Sequence, residues 1–519
     1  MHHRGNSRQH PACRPDEPCG CLYRGWRAWA GLFAAALLLR SAPCQADDWT
    51  VAPSVALYGS YTSNASLNPL GEGNPDFFTT LVPSIGIQGD TPRIKLSFGY
   101  SLDAIAYASN PQLDEIRNNL NFLSTFTLVP ELFFIDGAAS VQQVPTNGQS
   151  FTSSSPLAAS TNLSTIGVYD ISPYMKNHFG DFADSEFRYT FGQVLAGNAG
   201  SATTGFPDQT SALSNSLSNR LTETLVSGSR FTRLLWTVVG DVDSTTFTGD
   251  NPDTSSQLLQ ASAEYRLDRQ VGLLASVGYE RISDPTFAPD PEPDGPIGSV
   301  GVKYTPGPRT SIVLNLNHRY NDNFVTGSAS YLIGKESKIT ASYTDQVYTS
   351  SQALYSNNLS FLTTDEFGNF IDSRTQQLFS LANSNFGIES GAFRQRSFGL
   401  GAHIVQGRNT FDGSAYWQNR NVFQTGENDT AIGGALSWGR VLNPFANIDL
   451  TVRYANENFD IPFGESDNQQ IVGVGGSFVY HLNDTVDGVL TLNYSRQFSD
   501  APSNSFEETV LSLGLQKRF

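Results

Sequence analysis

The chain has 519 residues, of which 16% are charged and 39% hydrophobic, and its formal net charge is −17. No run of 18 or more apolar residues follows the N-terminal region, which excludes a helical membrane protein. So acidic a chain is also a poor match for nucleic acid or any other polyanion.

At the N-terminus, Arg24 and Arg27 precede an apolar run at 28–39 and then SAPCQADD. This is the layout of a secretory signal peptide, with Cys44 and Ala46 as the small residues of the cleavage motif and the cut between Ala46 and Asp47. Residues 1–46 are therefore expected to be removed after Sec-type export, leaving 47–519. All four cysteines (Cys13, Cys19, Cys21 and Cys44) lie in the leader, so the remainder has no disulfide framework and no cysteine metal site. A chain without cysteine passes unfolded through an oxidising periplasm without side reactions. Cleavage also takes away six arginines and two acids, leaving 26 basic and 47 acidic residues. At a cell surface, such a protein is expected to meet lipopolysaccharide through divalent cations.

From Trp49 onward the chain is a succession of segments with period-2 alternation, the signature of strands with one apolar and one polar face. In 93–107, Ile94, Leu96, Phe98, Tyr100 and Leu102 oppose Lys95, Ser97, Gly99, Ser101 and Asp103. In 311–320, Ile312, Leu314 and Leu316 oppose Val313, Asn315, Asn317 and Arg319. In 445–459, Leu450, Val452 and Tyr454 oppose Thr451, Arg453 and Ala455, and 489–498 repeats the pattern. The polar faces carry mostly Ser, Thr, Asn, Gln and Gly rather than the Lys and Glu of a soluble sheet, as the wall of a water-filled lumen would. Tyr and Phe recur towards strand ends, as an aromatic girdle requires.

The breaks between segments alternate between short and long. Short ones fall at 89–92, 129–131, 228–230, 267–270, 305–309, 333–337, 406–409, 442–444 and 482–485. Longer ones fall around 62–75, 144–160, 197–211, 247–255, 284–295 and 351–394. Tight turns on one side and long loops on the other are the asymmetry of an outer-membrane barrel. The expectation is an all-β fold, one transmembrane up-and-down antiparallel barrel of about 22 strands, within a range of roughly 20 to 24. The first strand begins so near the cleavage site that no plug domain of the kind found in energy-coupled 22-stranded transporters is expected.

The acidic stretch 283–296 places Asp290, Glu292 and Asp294 at alternate positions. Prolines interrupt it, and Gly301 stands where a calcium loop needs a bidentate Glu, so a solvated loop is the better reading. The histidines beyond the leader, His178, His318, His403 and His481, show no ligand spacing, and there is no GxSxG motif or phosphate-binding Gly-rich loop. No catalytic set, metal or cofactor is expected. The loop 351–394 carries Phe367, Phe370, Leu378, Phe379, Leu381 and Phe386, too many apolar groups for water. It packs on neighbouring loops, folds inward to narrow a pore, or forms a self-packed surface hairpin.

The chain ends in FEETVLSLGLQKRF, with Leu511, Leu513, Leu515, Lys517 and Phe519 on one face. An apolar face closed by a terminal Phe is what the barrel-assembly machinery reads as a sorting signal. Lys517 departs from that pattern, but a Lys near the membrane edge can snorkel to the headgroups.

The opening at 52–107, with Pro53, the YTSN run at 61–64, Asp76, Pro83, Gly86, Arg93, Tyr100 and Tyr107, resembles the first strands of outer-membrane β-barrels associated with PEP-CTERM/exosortase systems. A second match is RQRSFGLGAHIVQGRNTFDGSAYWQNR at 394–420, after the DEFGNF-type loop. These barrels belong to a wider porin-like class found beside exopolysaccharide loci. The resemblance implies an outer-membrane location and a part in exopolysaccharide export, with polysaccharide and export-system components as partners. It brings no catalytic residues. The alternatives are a general diffusion porin and a non-conducting surface scaffold or anchor, and the polar strand faces favour a conduit. Lys95, Arg188, Lys303, Arg319 and Arg453 alternate out of phase with the apolar residues of their strands and should face the lumen. They would attract anionic sugars provided that neighbouring Asp and Glu do not pair them.

Deleting Phe519, or replacing it with Ala, is expected to lower outer-membrane yield far more than Leu316→Ala does. The burial of one aromatic is worth only about 1.5–3 kcal/mol, so the larger effect must come from recognition during assembly. Equal yields of the two variants, measured by heat-modifiable mobility in membrane fractions, would contradict this.

Overall fold

The computed structural model describes residues 49–145, 153–160, 162–196, 214–248, 252–285, 294–354, 359, 362–364, 370–372, 386, 392–460 and 466–519. The signal cleavage site at Ala46 and Asp47 lies outside them. The first strands are β1 (Trp49–Thr62), β2 (Asp76–Asp90), β3 (Ile94–Tyr107), β4 (Glu115–Val129), β5 (Phe133–Pro145) and β6 (Leu163–Phe179). There follow β7 (Ala183–Ala196), β8 (Ser216–Ser227), β9 (Leu234–Phe247), β10 (Thr254–Arg266), β11 (Val271–Ser283) and β12 (Asp294–Gly307). Next come β13 (Thr310–Arg319), β14 (Asp322–Leu332), β15 (Lys338–Thr349) and two three-residue strands, β16 (Leu362–Thr364) and β17 (Phe370–Asp372). The last are β18 (Ala392–Gln406), β19 (Asn409–Val422), β20 (Asn428–Asn443), β21 (Ala446–Phe459), β22 (Asp467–Asn483), β23 (Val486–Ser499) and β24 (Phe506–Arg518).

Each strand pairs antiparallel with its chain neighbour, β15 pairs with β18, and β24 returns to β1. The result is a closed sheet of 22 strands, with β16 and β17 forming a separate hairpin inside the connection that leaves β15. The seam runs from Ser54↔Arg518 to Thr62↔Val510, so the terminal strand is paired along both edges. Closure of this kind leaves no unpaired strand edge, which is what a hydrocarbon environment demands.

Outward and inward faces follow from the period-2 alternation. On β24, Leu511, Leu513 and Leu515 point outward and are 46%, 67% and 56% exposed, whereas Val510 and Ser512 are fully buried on the inner side. Leu314 and Leu316 on β13, Leu450 and Val452 on β21, and Leu436 on β20 share the outer face, and Phe519 at the chain end is also exposed. A continuous exposed belt of Leu, Val and Ile around a closed sheet far exceeds the apolar patches that soluble monomers tolerate, and a bilayer is what covers it.

All the short breaks named from the sequence coincide with turns at one end of the barrel, the end that also holds both barrel termini. Gly180–Phe182 adds a further turn there, in which Gly180 takes φ +61°. Asp268 shows how such a turn is stabilised. Its carboxylate accepts from the backbone N–H groups of Gln270 (2.6 Å) and Val271 (2.7 Å), which hold it below the usual carboxylate range. The other end carries the longer connections, with one departure from expectation. Strands β13 and β14 are joined there by only Tyr320 and Asn321, both at positive φ (56° and 55°), the geometry of a two-residue type I′ hairpin. Asp290 and Glu292 of the acidic stretch lie outside the described residues. Asp294 is the first residue of β12, where it faces Arg281 across the ladder.

Leu436→Arg places a cation on the outer face midway along β20. In a bilayer this should cost about 2–4 kcal/mol, against no more than roughly 0.5 kcal/mol for an exposed site on a soluble sheet. Urea unfolding from lipid vesicles measures the difference, and an unchanged midpoint would remove the lipid-facing assignment.

Candidate functional site: the lumen and its two inserted segments

The inner wall is not uniformly polar. Phe78 on β2, Ile105 and Tyr107 on β3, and Val510 on β24 point inward and are buried. What covers them is part of the connection between β5 and β6. Residues 153–160 fold into the barrel, and Ala158 and Ala159 pack in one cluster with these four side chains. Hydrogen bonds from the wall fix the segment. The Glu508 carboxyl accepts from Ser153 Oγ (2.8 Å), the Ser154 backbone N–H (3.0 Å) and Thr62 Oγ1 (3.1 Å). Thr80 Oγ1 donates to the Leu157 carbonyl and Arg117 Nη2 to the Ala158 carbonyl, each at 3.0 Å. The Ala159 N–H donates to the Tyr107 hydroxyl at 3.0 Å. Backbone groups taken out of water in this way need such partners.

A second insertion comes from the connection between β15 and β18. Leu354, Leu359 and Leu362 are buried against Ala138 and Val144 of β5, Ile166 and Val168 of β6, and Val194 of β7, all on the inner face. Gln352 reaches Asp243 on β9 at 3.5 Å. Further along the same connection, Phe386 packs on Ala431 of β20 and Phe459 of β21, with Tyr416 of β19 beside it. Its ring meets Phe459 edge-on at 6.3 Å, and the Arg420 guanidinium lies 4.9 Å from its centroid. Seven strands one way around the barrel, and nine the other, separate the β5–β7 wall from the β19–β21 wall. The connection therefore touches nearly opposite sides of the lumen. Of the apolar residues named in 351–394, Phe386 is the one whose environment is described. Phe367, Leu378, Phe379 and Leu381 lie outside the described residues, and Phe370 opens β17.

The five inner-face cations differ in their surroundings. Arg188 on β7 binds Asp136 and Glu186 at 2.9 Å each and lies 3.8 Å from the Tyr174 ring centroid. Lys303 on β12 reaches Glu264 at 3.0 Å. Arg319 on β13 forms a bidentate pair with Glu280, both contacts at 2.6 Å. The proviso attached to an anion-attracting lumen is thus not met at these three positions, because a carboxylate two strands away reaches across the intervening strand to take each charge. Lys95 on β3 and Arg453 on β21 make no ion pair among the described residues. Inner-face carboxylates that make no direct ion pair among the described residues are more numerous. Asp103, Asp170, Asp449, Glu457, Asp467 and Glu508 all belong to this set, although Arg117, Arg188 and Arg453 lie close enough to act on Asp103, Asp170 and Glu457.

The four histidines each face a cross-strand partner: His178 with Asp184, His403 with Asp412 (2.6 Å), His481 with Asp487 (2.6 Å) and His318 with Asn323 (2.9 Å). They are spread over four different hairpins. Among the described residues no group of three or more His, Cys, Asp or Glu is arranged to hold a metal ion.

The geometry defines a large closed antiparallel barrel with inward-folded connections. The chain matches no protein-family profile and no curated protein sequence. Among solved structures, the FrpB iron transporter from Neisseria meningitidis (F5-1 variant) superposes with a TM-score of 0.50 and 10% identity, over 91% of this chain and 82% of that one. The siderophore receptor PirA from Acinetobacter baumannii gives a TM-score of 0.48 at 8% identity, covering 90% and 80%. OccK5 (OpdH) from Pseudomonas aeruginosa gives 0.32 at 8%, covering 90% and 98%. At this identity the likeness to the first concerns the barrel fold alone.

Glu508→Ala combined with Arg117→Ala should release the 153–160 segment, since charge-assisted hydrogen bonds are worth roughly 1.5–3 kcal/mol each. A thiol placed by Ser155→Cys, which is buried in the parent, should then react with a polar maleimide many times faster. Equal labelling rates with and without the two wall substitutions would show that these bonds do not hold the segment.

Proposed function

We propose that the protein is a bacterial outer-membrane channel for hydrated polar solutes, narrowed from within by the 153–160 segment and the connection after β15. The observation that carries this reading is the pair of inward segments. A scaffold needs neither a polar inner wall nor connections folded across it. The closed 22-strand sheet and the apolar outer belt support the outer membrane as its location, reached on this reading after Sec-type export and assembly by the barrel machinery. On this reading the short-turn end faces the periplasm and the long connections face outward.

Selectivity follows from the inner-face charges. With Arg188, Lys303 and Arg319 neutralised in place and several carboxylates unpaired, the lumen favours cations and neutral solutes over polyanions. A saccharide conduit is compatible with this if the saccharide is uncharged, and the link to exopolysaccharide export rests on the sequence resemblance.

In planar bilayers the purified barrel should conduct weakly and prefer K⁺ over Cl⁻. Removing residues 351–391 should raise conductance several-fold. Asp449→Asn with Glu457→Gln should move the reversal potential towards anions. If the deletion variant folds, as judged by heat-modifiable mobility, and its current equals that of the parent, the channel reading gives way to the scaffold.

A further inference from the structure

The 153–160 segment does not lie flush against the whole wall. Between Ser154–Leu157 and the inner face of β21–β23 there is a cavity of about 340 Å³. That volume is at the low end for ligand pockets, which favours a small occupant. Its wall is a stripe of hydrogen-bonding groups: Asp449, Thr451 and Arg453 along β21, and Thr491 and Asn493 along β23.

Several features mark this stripe out on the inner wall. Arg453 is exposed to the lumen and, like Lys95, makes no ion pair among the described residues, whereas Arg188, Lys303 and Arg319 are taken by nearby acids. Its side chain lies over Gly473 of β22, where an added Cβ would sit 2.4 Å from the Arg453 Nε atom. The glycine is therefore the reason the guanidinium can occupy this place. The Thr491 hydroxyl beneath the same wall is buried and has no hydrogen-bond partner. Asp449 offers acceptors at one end of the stripe and Arg453 offers donors at the other. They are four residues apart on one strand, a span of about 13 Å.

We infer that this cavity is a binding subsite for a neutral, polyhydroxylated solute the length of two linked sugar rings. Formal charge along the stripe balances between Asp449 and Arg453, so a fully charged occupant would leave one of them opposed. Hydroxyl groups both donate and accept, and they can satisfy the carboxylate, the guanidinium and the Asn493 amide together. A purely apolar occupant would strand all three.

The inference rests on the channel reading only for the site's place in a passage, so binding and conduction are measured separately. Isothermal titration of the full-length barrel in micelles with sucrose should give millimolar affinity. Glucose, which covers half the stripe, and gluconate, which adds a charge, should each bind at least about tenfold more weakly, the worth of one good charge-assisted hydrogen bond. Arg453→Gln should cost a similar factor. Gly473→Ala should do the same while keeping the charge, because the methyl group displaces the guanidinium. Heat-modifiable mobility confirms that each variant is folded. No binding by the parent, or unchanged affinity in both folded variants, overturns the subsite. Ionic current without sucrose binding leaves the channel and removes the subsite, whereas binding without current does the reverse.

Discussion

The structure depends on the pairing of β24 with β1. A sheet of 21 ladders with two free edges would leave rows of N–H and C=O groups without partners, each costing several kcal/mol in hydrocarbon. The seam from Ser54↔Arg518 to Thr62↔Val510 removes both edges at once. The last residues of the chain are thus the ones that make the other strands compatible with a membrane. The alternation of Leu511, Leu513 and Leu515 against Val510, Ser512 and Gly514 has to keep its phase there, because a slip of one residue would turn the leucines into the lumen.

Once the sheet is closed, its interior is far too wide for side chains to fill, and the barrel must hold either water or inserted chain. In this protein inserted chain covers part of the inner wall. The inserted segments explain why the inner wall has apolar patches beneath them. Phe78, Ile105, Tyr107 and Val510 lie beneath residues 153–160, and Ile166, Val168 and Val194 lie beneath Leu354, Leu359 and Leu362. The apolar patches of the inner wall thus map onto the places that the described inserted residues cover. Glu508 shows how one residue can serve both parts, since it sits in the closing strand and also carries the hydrogen bonds that fix the first insertion.

The cross-strand carboxylates change what the inner cations can do. Arg319 and Glu280 are far apart in sequence, and so are Arg188 and Asp136, yet the ladder brings each pair into bidentate or near-ideal contact. A guanidinium held in this way shapes and stiffens the wall more than it attracts a solute. Arg453, released from that role by the absence of an acid in register and by the space over Gly473, is left to face the lumen.

Much of the architecture was legible in the sequence because it is local. The period-2 alternation of 93–107, 311–320, 445–459 and 489–498 matches β3, β13, β21 and β23, and the named short breaks match turns. Face and phase depend only on neighbouring residues, so they can be read without the fold. The two-residue hairpin at Tyr320–Asn321 escaped because its positive φ angles come without a glycine to announce them. The insertions and the ion pairs depend on which strands stand beside or across from one another around the closed sheet. Leu354 touching Ile166 and Phe386 touching Phe459 require walls on nearly opposite sides of one closed lumen, and Glu280 holding Arg319 requires the register of β11, β12 and β13. These are contacts between residues well apart in the chain, and no local pattern carries that information.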